Sequence, residues 1–169
     1  MKAEKISILI GILVIVLLAF LIVGNANVIG VSAGSLENVA REEQEIDSRW
    51  EAVQAANENM CALLFYNAEK TDCRFSVYLT KEGLSYGYFF REGGADGFIV
   101  DGVRGLIFED KGIALLSLNA DRVSKIVVDG SESVEVDPLK PFAVVLPLNC
   151  GEITLYDAKG NIVTLYDAF

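Results

Sequence analysis

From residue 62 to the C-terminal end, ten short segments, some alternating apolar and polar residues with a period of two and others continuously apolar, are separated by Gly, Asp and Asn. The segments are ALLFY (62–66), RFSVYL (74–79), LSYGYFFR (84–91), VRGLIFE (103–109), IALLSL (113–118), RVSKIVVD (122–129), SVEV (133–136), FAVVLP (142–147), EITLYD (152–157) and NIVTLY (161–166). A period of two places alternate side chains on opposite faces of a strand, and the gaps are too short for intervening helices. The pattern predicts a mainly β domain over 61–169, an antiparallel sandwich of immunoglobulin-like or related type.

The last two segments contain TLYDA twice, at residues 154–158 and 164–168. Asp157-Ala-Lys-Gly160 suits a type I turn with the glycine left-handed, so the two copies are expected to form a hairpin. Tyr156 should then face Ile162, Leu155 Val163, Thr154 Thr164 and Ile153 Leu165. Ile153, Leu155, Val163 and Leu165 share the core face, and Thr154 opposite Thr164 is a favourable cross-strand pair. A calcium loop is the alternative, because Asp157 and Asn161 both offer oxygen. Lys159 stands where such a loop needs a donor and its closing Glu is missing, so no metal is expected here.

Upstream, residues 6–24 form an uncharged apolar run interrupted only by Ser7 and Gly11. It accounts for much of the 52% hydrophobic content and the mean hydropathy of +0.39. About 20 apolar residues span a bilayer core. Lys2 and Lys5 precede the run and no basic residue follows until Arg41. The positive-inside rule therefore leaves residues 1–5 as a cytoplasmic tail and places the rest outside, in a single-pass protein of the cell membrane. A cleaved signal peptide is the competing reading, since residues 24–26 and 31–33 are small, but secretory apolar cores are usually shorter. Cleavage would make the protein secreted.

Residues 25–34 read as a linker. Over 35–60, Leu36, Val39, Ile46, Trp50, Val53 and Met60 fall at alternating spacings of three and four once Glu43 and Asn57 fill the gaps. That predicts one long amphipathic helix capped by Ser35. As a parallel coiled coil it would set Glu42 against Asp47 of its partner, so packing on its own domain is favoured.

Composition narrows the function. The chain of 169 residues carries 14 Lys and Arg against 24 Asp and Glu, a net charge of −10, which disfavours nucleic acid and anionic lipid head groups as partners. It has no histidine, the commonest general base, and its three cysteines, Cys61, Cys73 and Cys150, have no zinc-site spacing. One disulfide with one free thiol, or three thiols, are both compatible with that number. Cys73 between Asp72 and Arg74 is a candidate thiolate opposed by the aspartate, and the S-x-M-x-P signature of membrane-anchored signal peptidases is missing. The glycines at 93, 94, 97, 102 and 105 follow no phosphate-loop pattern and read as turns. No cofactor is called for.

The stretch 84–91 is rich in aromatics. Alternation places Tyr86, Tyr88 and Phe90 on one face, with Phe89 and Arg91 on the other, so Tyr86, Tyr88 and Arg91 are the candidate binding residues. A central strand buried on both faces is the plainer alternative. The tail running VSKIVVDG, PFAVVLP and GEITLYDAKGNIV resembles, in its strands and turns and without a catalytic motif, immunoglobulin-like modules attached to bacterial envelope proteins, which implies an outward-facing β-sandwich. The expected function is that of a membrane-anchored binding or scaffolding protein of the cell envelope, held to the membrane by residues 6–24, with an envelope protein or wall polymer as partner. The other class is an exported enzyme using carboxylates or a cysteine.

Overall fold

Strand β2 (Met60–Tyr66), MCALLFY, has every residue buried, which an apolar run without alternation requires of a strand covered on both faces. The structure, a computed structural model, describes residues 10–19, 21, 28–83, 85–108, 110–129 and 132–168. Strand β2 lies between β1 (Glu51–Ala56) and β3 (Cys73–Leu79), and β4 (Phe89–Gly94) completes a four-stranded antiparallel sheet in chain order. The hairpin β5 (Val103–Phe108) and β6 (Gly112–Ser117) forms the centre of a second sheet, ordered β12-β5-β6-β9, with β9 at Phe142–Leu146 and β12 at Leu165–Ala168. The third sheet is ordered β11-β10-β7-β8, with β7 at Val123–Val128, β8 at Glu132–Glu135, β10 at Ile153–Asp157 and β11 at Ile162–Val163. The protein is mainly β with antiparallel sheets, as the period of two predicts, apart from one parallel pair, β12 with β5.

Three apolar layers hold the sheets together. Met60, Ala62, Leu64, Phe75 and Val77 of the first sheet meet Leu106, Phe108, Ala114 and Leu116 of the second. On the other face of the second sheet, Val103, Ile113, Leu115, Phe142 and Leu146 meet Val123, Ile126, Val128 and Leu155 of the third. The outer face of the first sheet presents Cys61, Leu63, Phe65 and Tyr78 to Leu36 and Ala40 of a short helix, α1 (Leu36–Glu43). The second sheet is thus covered on both sides, and β6 is buried along its whole length.

The helix expected over 35–60 is corrected. It ends at Glu43, and residues 51–56 are an edge strand. Glu45 takes a left-handed conformation at φ 52°, and Asp47 then accepts the backbone N–H of Arg49 at 2.9 Å, a turn that ends helical pairing. The apolar spacing serves both outcomes, because Trp50 and Ala52 reach the outer layer while Val53 reaches the inner one. Hydrogen bonding selects the strand. Six residue pairs from Glu51↔Tyr66 to Ala56↔Cys61 satisfy the buried edge of β2, which a helix lying over it would leave unpaired. Ser35 makes no side-chain cap. Arg41 ties the helix to the turn, donating to Trp50 O at 2.9 Å with its guanidinium 5.0 Å from the Phe65 ring centroid.

The doubled TLYDA is half a hairpin. Tyr156↔Ile162 and Leu155↔Val163 pair as expected, and the turn closes with Gly160 at φ 85° and Asp157 N–H donating to Asn161 O at 2.9 Å. The ladder stops at Thr164. Leu165 pairs with Val103 in the second sheet, so the two copies lie in different sheets and Thr164 does not face Thr154. Gly97 is also corrected. It opens a helix, α2 (Gly97–Asp101), capped by the Asp96 carboxylate accepting Phe98 N–H at 2.8 Å, and Ile99 is fully buried in the inner layer.

Residues 10–19 are helical, with Leu13, Ile15 and Leu17 exposed. The remainder of the 6–24 segment lies largely outside the described residues, and among the described residues no helix is long and apolar enough to cross a membrane.

Candidate functional site

Two turns bring the site together. After β3, Thr80-Lys81-Glu82-Gly83 leads the chain out of the first sheet, and Asp110-Lys111 closes the β5–β6 hairpin of the second. In the hairpin, Lys111 N–H donates to Phe108 O at 2.9 Å and Gly112 takes φ 147°. A Cβ on Gly112 would stand 2.5 Å from the Leu146 carbonyl oxygen, so only glycine fits where this turn approaches β9. Because the two sheets are stacked, both turns open onto one groove of about 670 Å³ at the same end of the inner layer.

The groove has apolar walls and charged edges. Leu79, Phe89, Phe90, Ile107 and Phe108 supply the walls. Lys81, Arg91 and Lys111 supply cations, and Glu82 and Asp110 supply carboxylates. The Lys81 ammonium lies over the Phe89 ring, 3.9 Å from its centroid, a cation–π contact that holds the side chain along the wall. The Lys111 side chain is only 10% exposed, and among the described residues it pairs with Asp110, whose Oδ2 is 3.9 Å from its Nζ on a side chain that is 70% exposed. At that distance, through solvent, the attraction is weak.

The structure separates the three residues singled out from the sequence. Tyr86 is 72% exposed. Tyr88 is half-buried, packed against the outer layer, and its hydroxyl donates to Asn57 O at 2.7 Å. Arg91 is the extra residue of a bulge, because Tyr78 pairs with Phe90 while the adjacent Val77 pairs with Glu92. That bulge places Arg91 at the groove, whose lining includes neither tyrosine. Tyr86 and Tyr88 instead bridge residues 28–31, with Tyr86 N–H donating to Val28 O at 2.9 Å and Val31 N–H donating to Tyr88 O at 2.8 Å. A Cβ on Gly30 would come 3.0 Å from the Phe89 ring, so residues 28–31 lie directly behind one wall of the groove.

Sequence reasoning missed Lys81, Lys111 and Phe89. The only local signal was a lysine in each of two turns, and nothing local says that the turns meet.

Each thiol lies in a different apolar layer. Cys61 is in the outer layer, Cys73 in the inner layer and Cys150 between the second and third sheets. All three are buried and free, and the sheets between them prevent any pair from bridging. Burial pushes the Cys61 thiol up to about 12 and Cys73 to about 11, so neither is a thiolate near neutrality. At the 157–161 turn, Asp157 Oδ1 accepts Lys159 N–H and Asn161 N–H, and Oδ2 accepts the Asn161 side-chain amide, each at 2.8 Å. The carboxylate is engaged in shaping the turn.

Comparison with protein-family models, with curated proteins and with solved structures gave no match.

Proposed function

We propose that the chain is a single-pass protein of the cell membrane, anchored by residues 6–24 with its N-terminus in the cytoplasm, whose outward-facing immunoglobulin-like or related sandwich binds an envelope protein or wall polymer. The observation that carries this reading is the exposure of Tyr86 (72%) just before β4 and of Phe90 (51%) on that edge strand, where Arg91 follows it at the groove. Aromatics and arginine supply most of the energy at protein interfaces, and a rigid sheet edge presents them at little cost in order. Tyr88 fixes the geometry of this edge from beneath through its bond to Asn57.

The test is chemical cross-linking in intact cells, followed by recovery of the full chain from gently solubilised membranes. A discrete partner should be recovered with the native chain and lost with Tyr86→Ala and Arg91→Ala, while the domain keeps its melting temperature. Equal recovery by native and altered chains would overturn the assignment of the surface. A turnover activity abolished by Cys73→Ser, without unfolding, would replace binding with catalysis.

A further inference from the structure

The groove between the first two sheets has walls of Leu79, Phe89 and Phe108 beneath a rim bearing Lys81, Arg91 and Lys111. Apolar walls under a cationic rim match an amphiphile with an anionic head. The cations stand out in a chain of net charge −10, where an anion elsewhere on the surface is repelled. Lys111 is the most telling of them. Its side chain is nine-tenths buried, it lines the groove, and the carboxylate it pairs with among the described residues is a mostly exposed aspartate 3.9 Å away. A buried lysine with so loose a partner is arranged to receive another anion.

Chain geometry says where that anion comes from. Val28 accepts the N–H of Tyr86, and Gly30 lies against the ring of Phe89, which forms a groove wall. Val28 is five positions beyond Val23, and five residues reach at most about 17 Å in any conformation. The groove is therefore tethered within a short distance of the apolar segment. On the reading that this segment is a membrane anchor, the groove is held beside the outer leaflet. Headgroups there are presented at high effective concentration, so even a shallow site is filled. We infer that the groove binds the phosphate-bearing headgroup of an anionic phospholipid, with Lys111, Arg91 and Lys81 on the phosphate and the phenylalanines against the glycerol and first methylenes.

This inference rests on the anchoring reading, and its test separates the two. The full chain is reconstituted into nanodiscs of phosphatidylcholine alone or of phosphatidylcholine with phosphatidylglycerol. Acylation of Lys81 by a water-soluble amine reagent is followed by mass spectrometry, with Lys125 and Lys159 of the third sheet as internal references. Acylation of Lys81 should slow several-fold in the anionic discs while the references stay constant, and Lys111→Gln or Arg91→Gln should each remove most of that protection. Uniform slowing at all lysines, or no change at Lys81 in a chain retained by the discs, overturns the groove assignment and leaves the anchor standing. Equal protection by inorganic phosphate in neutral discs overturns the lipid in favour of a soluble phosphate ligand. A chain that separates from the discs overturns the anchor, and the lipid assignment falls with it.

Discussion

Asn119 is the side chain on which the join between the second and third sheets depends. It follows β6, is 6% exposed and takes φ 63°. Its Oδ1 accepts Val123 N–H at 2.7 Å, and its Nδ2 is within 3.1 Å of the carbonyl oxygens of Val123, Asp137 and Lys140. One amide therefore pins the start of β7 to the turn before β9. In Asn119→Ala the fully buried Val123 N–H loses its acceptor. An orphaned buried donor costs about 1–3 kcal/mol, and an alanine held left-handed adds about 1 kcal/mol. Asp137 O keeps the N–H of Lys140 at 3.1 Å, so the carbonyls add little. The expected loss is about 3 kcal/mol, or roughly 8 °C in Tm for a chain of this size. Asn119→Gly removes the backbone penalty but not the orphaned donor, and should recover at most about 1 kcal/mol of the loss. The assay is urea unfolding of the full chain in mild detergent, followed by fluorescence of the single tryptophan, Trp50. That residue lies in the outer layer, away from the altered join. A loss below about 1 kcal/mol for Asn119→Ala would refute the hydrogen-bond reasoning. Native stability in Asn119→Gly would show that backbone strain, rather than pairing, was at stake.

Gly112→Ala should cost about 2–4 kcal/mol, since it combines a positive φ with a Cβ 2.5 Å from Leu146 O, whereas Gly94→Ala, at φ 149° with open space around it, should cost only the backbone part. Urea midpoints for the pair measure the steric part directly, and equal losses would show that the approach to β9 is not tight. The three cysteines should resist a thiol reagent at neutral pH until denaturant is added, and labelling of the folded chain would contradict their burial. Folding raises the thiols of Cys61 and Cys73 and the phenol of Tyr66, whose value is pushed up to about 12, mainly by burial. The unfolded chain then gives up protons from about pH 8.5 that the folded chain keeps, so stability is full below that pH and drains as pH rises towards 11–12. Urea midpoints that rise between pH 8 and 10 would refute the sign. Intact-mass analysis of the exported protein should find residues 6–24 still present, and a mature start at Asn27 or Gly34 would remove the anchor.

Most strands could be read directly because alternation is a local property: a residue's face in a strand depends only on its position, and the turn glycines and aspartates mark where pairing stops. The Asp157–Gly160 turn, the core face of β10 and the apolar run at 6–24 were legible for the same reason. The region 35–60 was not, since a spacing of three and four satisfies both a helix and a helix-turn-strand. The choice was made by β2, whose edge groups needed partners that no local pattern announces. The second TLYDA leaves its hairpin at Thr164 because β5 offers a buried edge in another sheet, a contact with residues some sixty positions earlier. The cysteines' redox state and the groove belong to this second kind. Which layer a thiol occupies, and whether Lys81 and Lys111 meet, depends on how the sheets stack, and stacking is decided by the burial of whole faces rather than by any short stretch of sequence.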